Sequence, residues 1–194
     1  YHNSLKEFEE TGNKKGIAET LSNIGVCNYN MGNLDVASEN YFKSLKLYEI
    51  LGDKKGMAIC QRNIGMIYLE RSMLDQAMIF FTSSKNLNEL LENKIEIAHC
   101  IFNIGEVNMI QNESAKALEN FDLAISAVRK LGIKYYLCSF LLRKAEALFE
   151  LNNLKDAETL NTEAHEIAEE IKRKDIVLKT EALTKSLKSV NLIK

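Results

Sequence analysis

The sequence predicts an all-α protein assembled from stacked helical hairpins, and three observations predict it. First, the chain repeats itself every forty residues: Gly12-Asn13-Lys14-Lys15-Gly16-Ile17-Ala18 returns as Gly52-Asp53-Lys54-Lys55-Gly56-Met57-Ala58, and Asn23-Ile24-Gly25 returns at Asn63 and at Asn103. A fixed period of this length marks a stack of identical supersecondary units rather than one globular core. Second, the 194 residues contain no proline and only nine glycines, as a nearly all-helical chain requires, since proline costs a helix interior about 3 kcal/mol. Third, the apolar residues of one period follow helical spacing twice, as in Ile17, Leu21, Ile24 and then Leu34, Ala37, Tyr41, Leu45, Tyr48.

Each element follows from these marks. A partial helix is expected over 1–11. First helices of the repeats are expected near 14–31, 54–71, 94–111 and 134–151, and second helices near 34–51, 74–91, 114–131 and 154–172. A last helix near 175–191 makes ten. The turn inside each repeat passes through Gly32, Ser72, Asn112 and Asn152, residues that tolerate a left-handed backbone or cap helices. Between repeats, Gly52 ends one helix and the Asp53 side chain caps the next. The repeats are therefore read as 12–51, 52–91, 92–131 and 132–173, preceded by the end of another over 1–11 and followed by a capping or half-repeat helix over 174–194. Tyr1, Ser4, Leu5 and Lys6 match Tyr41, Ser44, Leu45 and Lys46, so the sequence opens inside a repeat. The expectation is an array excised from a longer protein.

Composition narrows the function classes. A formal charge of −2 with interspersed signs gives no basic stripe for nucleic acid, and no apolar run approaches the length of a membrane span. No nucleic-acid or membrane partner is expected. Cys27, Cys60, Cys100 and Cys138 lack the paired spacing of a zinc or redox site and read as buried, reduced thiols in a cytoplasmic protein. No metal or cofactor is expected.

These residues resemble the tetratricopeptide repeat family, in its forty-residue variant as found in bacterial signalling proteins. The small residue of the first helix stands at Gly25, Gly65, Gly105 and Ala145, and that of the second helix at Ala37, Ala77, Ala117 and Ala157. The large residue that follows is Tyr41, Phe81 and Phe121 but Asn161 in the last repeat, and the next small one is Ser44, Ser84, Ala124 and Ala164. The customary closing proline is replaced by Glu49, Glu89, Arg129 and Glu169. The resemblance implies a right-handed α-solenoid whose first helices line a concave groove that holds an extended peptide or a partner's helix. It implies no reaction.

Two residues before each small first-helix position stand Asn23, Asn63, Asn103 and Arg143, one per repeat. A carboxamide offers two donors and an acceptor, so such a row can hold a peptide backbone without reading its side chains. Arg143 and Arg62 are the best anion contacts, and asparagines in this register bind peptide in similar repeat proteins. The competing reading has each Asn bond a neighbouring helix and fix repeat spacing. Flanking positions expected to face the groove include Glu19, Ile59, His99 and Ser139, then Ser22, Arg62, Phe102 and Leu142, then Val26, Met66, Glu106 and Glu146. Ser139 stands where the carboxylate clamp of chaperone-binding relatives wants lysine, which disfavours a C-terminal carboxylate in that groove. His99 can tune binding with pH or simply pack.

Other motifs carry less. His165-Glu166 lacks the second histidine of a metalloprotease helix and reads as a solvated face. The Gly-Asn-Lys-Lys-Gly segments lack the ending of a phosphate loop. The expectation is a non-enzymatic module that binds a protein or peptide segment in its groove. Its alternative is the sensory or regulatory segment of a larger bacterial histidine kinase, cyclase or peptide receptor. A third reading is self-association through apolar terminal faces that include Leu5 and Phe8.

Overall fold

A computed structural model describes residues 2–191, with side chains from 5 to 190. Tyr1, residues 192–194 and the side chain of Ser4 lie outside the described residues, and with them the first part of the register match. Ten helices and no strand occur among the described residues: α1 (His2–Glu10), α2 (Lys14–Asn30), α3 (Leu34–Leu51), α4 (Lys54–Glu70), α5 (Leu74–Leu90), α6 (Lys94–Ile110), α7 (Ser114–Lys130), α8 (Lys134–Glu150), α9 (Leu154–Glu170) and α10 (Lys174–Asn191). The expected helix ends fall within one or two residues of these.

One backbone device sets this rhythm. Gly12, Gly32, Gly52, Ser72, Glu92, Asn112, Gly132, Asn152 and Lys172, spaced every twenty residues, all have positive φ. At each, two hydrogen bonds close the helix end; at the third, Gly52 N–H donates to Glu49 O (3.1 Å) and Asp53 N–H to Tyr48 O (2.9 Å). This is the Schellman arrangement, which satisfies carbonyls that a helix end leaves open. The next helix starts at once: Asn13 Oδ1 and Asp53 Oδ1 accept from the N–H groups of Gly16 and Gly56, each at 3.0 Å. Glu92 and Lys172 do the same work as glycine, at a conformational cost that the sequence does not advertise.

The chain divides into two compact units, up to Val107 and from Asn108 onward. In the first, consecutive helices α1 to α5 pack in order and α2 also meets α4. Close approach within a repeat depends on absent side chains: a Cβ on Gly25 would lie 2.6 Å from the Tyr41 ring, and one on Gly65 would lie 2.7 Å from Phe81. Between repeats, a Cβ on Gly56 would lie 2.3 Å from Tyr48. A buried polar thread runs alongside. Ser44 Oγ donates to Ala18 O (2.7 Å) and accepts from the Cys60 thiol (3.3 Å), and Ser84 repeats this with Ala58 O (2.8 Å) and Cys100 (3.3 Å).

In the second unit α7 to α10 pack in order and α8 also meets α10. Ala145 replaces the glycine here and is buried, and the aromatic of the second helix is replaced by the smaller Asn161. Asn161 is itself buried and donates to Thr180 O (3.0 Å) and Thr184 Oγ1 (2.8 Å). Arg173 locks the end of this unit: it grips Asp175 through two nitrogens, and its guanidinium carbon lies 4.1 Å from the Tyr135 ring centre.

Two expectations are corrected. Cys27 is exposed, because it stands on the outward side of α2, while Cys60, Cys100 and Cys138 are buried as expected. The face of His165 and Glu166 is solvated only in part: Glu166 is exposed, but His165 is half-buried and its Nδ1 lies 2.8 Å from Thr180 Oγ1.

Candidate ligand groove on α2 and α4

The forty-residue register brings α2 and α4 side by side, and two adjoining cavities open along them. The first, of about 370 Å³, is lined by Glu19, Ser22 and Asn23 of α2, by Ile59 of α4, and by Lys15, Lys55 and Tyr48 at its rim. The second, of about 300 Å³, is lined by Val26 and Tyr29 of α2, Tyr41 of α3, and Ile59, Arg62, Asn63 and Met66 of α4. Ile59 belongs to both, so one compartment continues into the other. The first is ringed by charges of both signs, and the second by apolar and aromatic groups with Asn63 and Arg62 among them.

Asn23 and Asn63 are thus placed one per compartment. Neither side chain hydrogen-bonds another residue among the described residues. The spacing role weighed for the Asn row therefore finds no bond to support it at these two positions. Asn103, on α6, also makes no side-chain hydrogen bond to a described residue, but it is only 9% exposed and lines neither cavity. The row is uneven, open at two positions and nearly closed at the third.

The other expected contacts need correction. Arg62 does not present an unengaged guanidinium: its Nε lies 3.1 Å from Glu96 Oε2, with both side chains about three-quarters buried. Arg143, on α8 in the second unit, lies 3.6 Å from Glu150 and has further interactions, so it too is engaged. Phe102 is 8% exposed and Leu142 is 3% exposed; both are part of the packed interior rather than a ligand surface. Met66 does line the second cavity.

His99 completes the charged group between α4 and α6. Burial, followed by the positive charge of Arg62, lowers its pKa to about 4, while Glu96 pulls the other way. The imidazole is therefore neutral near pH 7, and it does not switch in the physiological range. Tyr29 is pushed up to about 12 by burial and by Glu70, whose Oε1 accepts its hydroxyl proton at 3.2 Å. Tyr48 is likewise raised to about 12 by burial. Both phenols stay protonated donors at the cavity walls. Among the described residues no group of three or more His, Cys, Asp and Glu side chains is placed to hold a metal, and no helix is long and apolar enough to cross a membrane.

Residues 16–89 match the tetratricopeptide repeat family model. Over these residues the chain carries tetratricopeptide repeats. Solved structures of the same fold include RapI in its apo form (20% identity, TM-score 0.78, covering 94% of this chain and 65% of that one). A Rap protein complexed with competence and sporulation factor is 17% identical with a TM-score of 0.75, covering 86% of this chain and 46% of its own. BtubC from P. vanneervenii, at 12% identity and a TM-score of 0.74, covers 99% of this chain and 88% of its own. No curated protein sequence matches the chain. At these identities the likeness is one of fold, and the chain spans about half to two-thirds of the length of the two Rap structures. Sequence reasoning missed the Arg62–Glu96 pair, which joins residues 34 apart and leaves no local pattern.

Proposed function

We propose that this chain is a non-catalytic interaction module that holds an extended segment of another protein along the α2–α4 face. The observation that carries the proposal is the pair Asn23 and Asn63: two carboxamides one repeat apart, each at a cavity wall and each without an internal hydrogen bond. Neighbouring helices lie about 8–10 Å apart and an extended chain rises about 3.3 Å per residue. The two side chains therefore meet backbone groups about three residues apart on one bound segment. Ile59 and Met66 supply apolar contact between and beyond them.

A Rap protein of this fold is known in complex with competence and sporulation factor, which supports ligand binding as the use of such a stack. The chain's coverage of only part of each Rap structure also supports a second reading, in which the module is the sensory or regulatory segment of a larger bacterial signalling protein. In either case the module works in the cytoplasm, where its thiols stay reduced.

The test is selection of binders from a displayed random-peptide library, with the native chain and an Asn23→Ala, Asn63→Ala variant of equal helicity as parallel targets. Peptides enriched on the native chain and not on the variant support the groove. Equal enrichment on both rejects it.

A further inference from the structure

We propose that a cavity lined by α7, α8 and α9 is a second binding site, one that takes the tyrosine side chain of a partner protein. The cavity has a volume of about 310 Å³, lies wholly within the second unit and shares no residue with the α2–α4 groove. It opens where the repeat register loses its aromatic rings. Two periods earlier, Phe80 stacks on Tyr68 (ring centres 5.4 Å apart) and meets Phe42 edge-on (6.0 Å), and Tyr68 and Phe80 pack against the core that holds Ile64. Their counterparts in the second unit are Leu160 for Phe80, Leu148 for Tyr68, Asp122 for Phe42 and Lys144 for Ile64. All four line the cavity.

Lys144 is the unusual member. Earlier repeats place Ile24, Ile64 and Ile104 at its position, and its side chain is only 13% exposed. Its Nζ donates to Asp122 Oδ1 (2.5 Å), the one hydrogen bond this ammonium makes among the described residues, although it carries three N–H groups. A largely buried donor left open is unfavourable unless something accepts from it. The other polar groups of the lining accept. Asp156 Oδ2 takes one bond from Asn153 Nδ2 (2.8 Å), and Thr159 Oγ1 has given its proton to Lys155 O (3.0 Å).

The ligand's chemistry follows from this arrangement. Asp122 and Asp156, both exposed, outnumber the single ammonium and turn away an anion. Leu118, Leu148 and Leu160 form an apolar wall on a register that holds flat rings in the first unit. The group that fits is a neutral ring whose polar tip both accepts, from Lys144, and donates, to Asp122. A phenol has that tip. At the rim, Asp156 and Thr159 can accept from the backbone N–H groups beside such a ring, which makes the occupant a tyrosine in a polypeptide rather than a free phenol.

The experiment titrates N-acetyl-tyrosinamide into the ¹⁵N-labelled chain and follows the amide shifts of α7, α8 and α9. N-acetyl-phenylalaninamide and p-cresol serve as parallel arms. Saturable shifts around Leu118, Lys144 and Leu160 are expected, with affinity about tenfold weaker for the phenylalanine compound, which lacks the hydroxyl, and weaker also for p-cresol, which lacks the amides. Lys144→Met, at a position where earlier repeats carry an apolar residue, should remove the difference between tyrosine and phenylalanine. Asp122→Phe with Leu160→Phe restores the aromatic pattern of Phe42 and Phe80 and should abolish binding of all three. Absence of saturable shifts with N-acetyl-tyrosinamide overturns the proposal. So do equal affinities for tyrosine and phenylalanine, a tyrosine preference that survives Lys144→Met, or p-cresol binding as tightly as the tyrosine compound.

Discussion

Arg62 Nε lies 3.1 Å from Glu96 Oε2, and this pair joins α4 to α6 on the side of α4 that carries Asn63. Three-quarters burial takes both charges largely out of water, so each depends on the other. Glu96→Ala leaves the guanidinium without its counter-charge and should lower stability by about 1–2 kcal/mol, between the values of exposed and fully buried pairs. A urea midpoint compared with that of Asn63→Ala, which breaks no internal bond and should stay near the native value, checks this.

His99 gives the unit a pH signature. Its folded pKa, about 4, lies below the ordinary 6.5, so the unfolded chain binds the proton more readily. The resulting stability is fully present above pH 6.5 and is lost as pH falls from there towards 4. The loss should reach about 2–3 kcal/mol, following the free-energy value of a pKa unit. His99→Gln should flatten that part of the stability-versus-pH curve. Unfolding midpoints taken at intervals from pH 7 to pH 4 would show it.

Gly65 is kept small by Phe81. A methyl group there would lie 2.7 Å from a fully buried ring on the same hairpin. Gly65→Ala should therefore destabilise by about 1–3 kcal/mol despite alanine's better helix propensity, the range typical of overpacked interiors. Thermal denaturation would reveal the sign, and a stabilised variant would refute the packing account.

Glu92 runs the other way. It holds φ at 53° at a helix end, where Gly52 holds 66° at the matching junction one repeat earlier. Replacing it with glycine removes the side-chain strain but frees the unfolded chain, for a net gain of about 0.5–1 kcal/mol. Its denaturant midpoint should rise.

The contrast between Gly52 and Glu92 also shows what the sequence makes legible. Helix ends were readable where glycine, asparagine and aspartate recur, and the forty-residue register carried the assignment through Glu92 and Lys172, which have no such preference. The groove was legible as a register, since Asn23, Asn63, Ile59 and Met66 all follow from counting along first helices. Its occupancy was not. Whether Arg62 is engaged by Glu96, or Asn103 is nearly covered, depends on side chains from another helix. The Asn161 network was hidden for the same reason: Thr180 and Thr184 lie 19 and 23 residues further on and belong to no motif. Residue type alone reads all four cysteines as buried, and Cys27 departs from that because it does not share the register position of Cys60 and Cys100.

The most direct test of the groove is calorimetric titration of a library-selected peptide into the native chain, Asn23→Ala and Asn63→Ala. Each substitution should weaken binding by about 1 kcal/mol, the net value of one hydrogen bond, with helicity unchanged. Affinities equal to that of the native chain in both variants would contradict the claim that these two carboxamides hold the ligand.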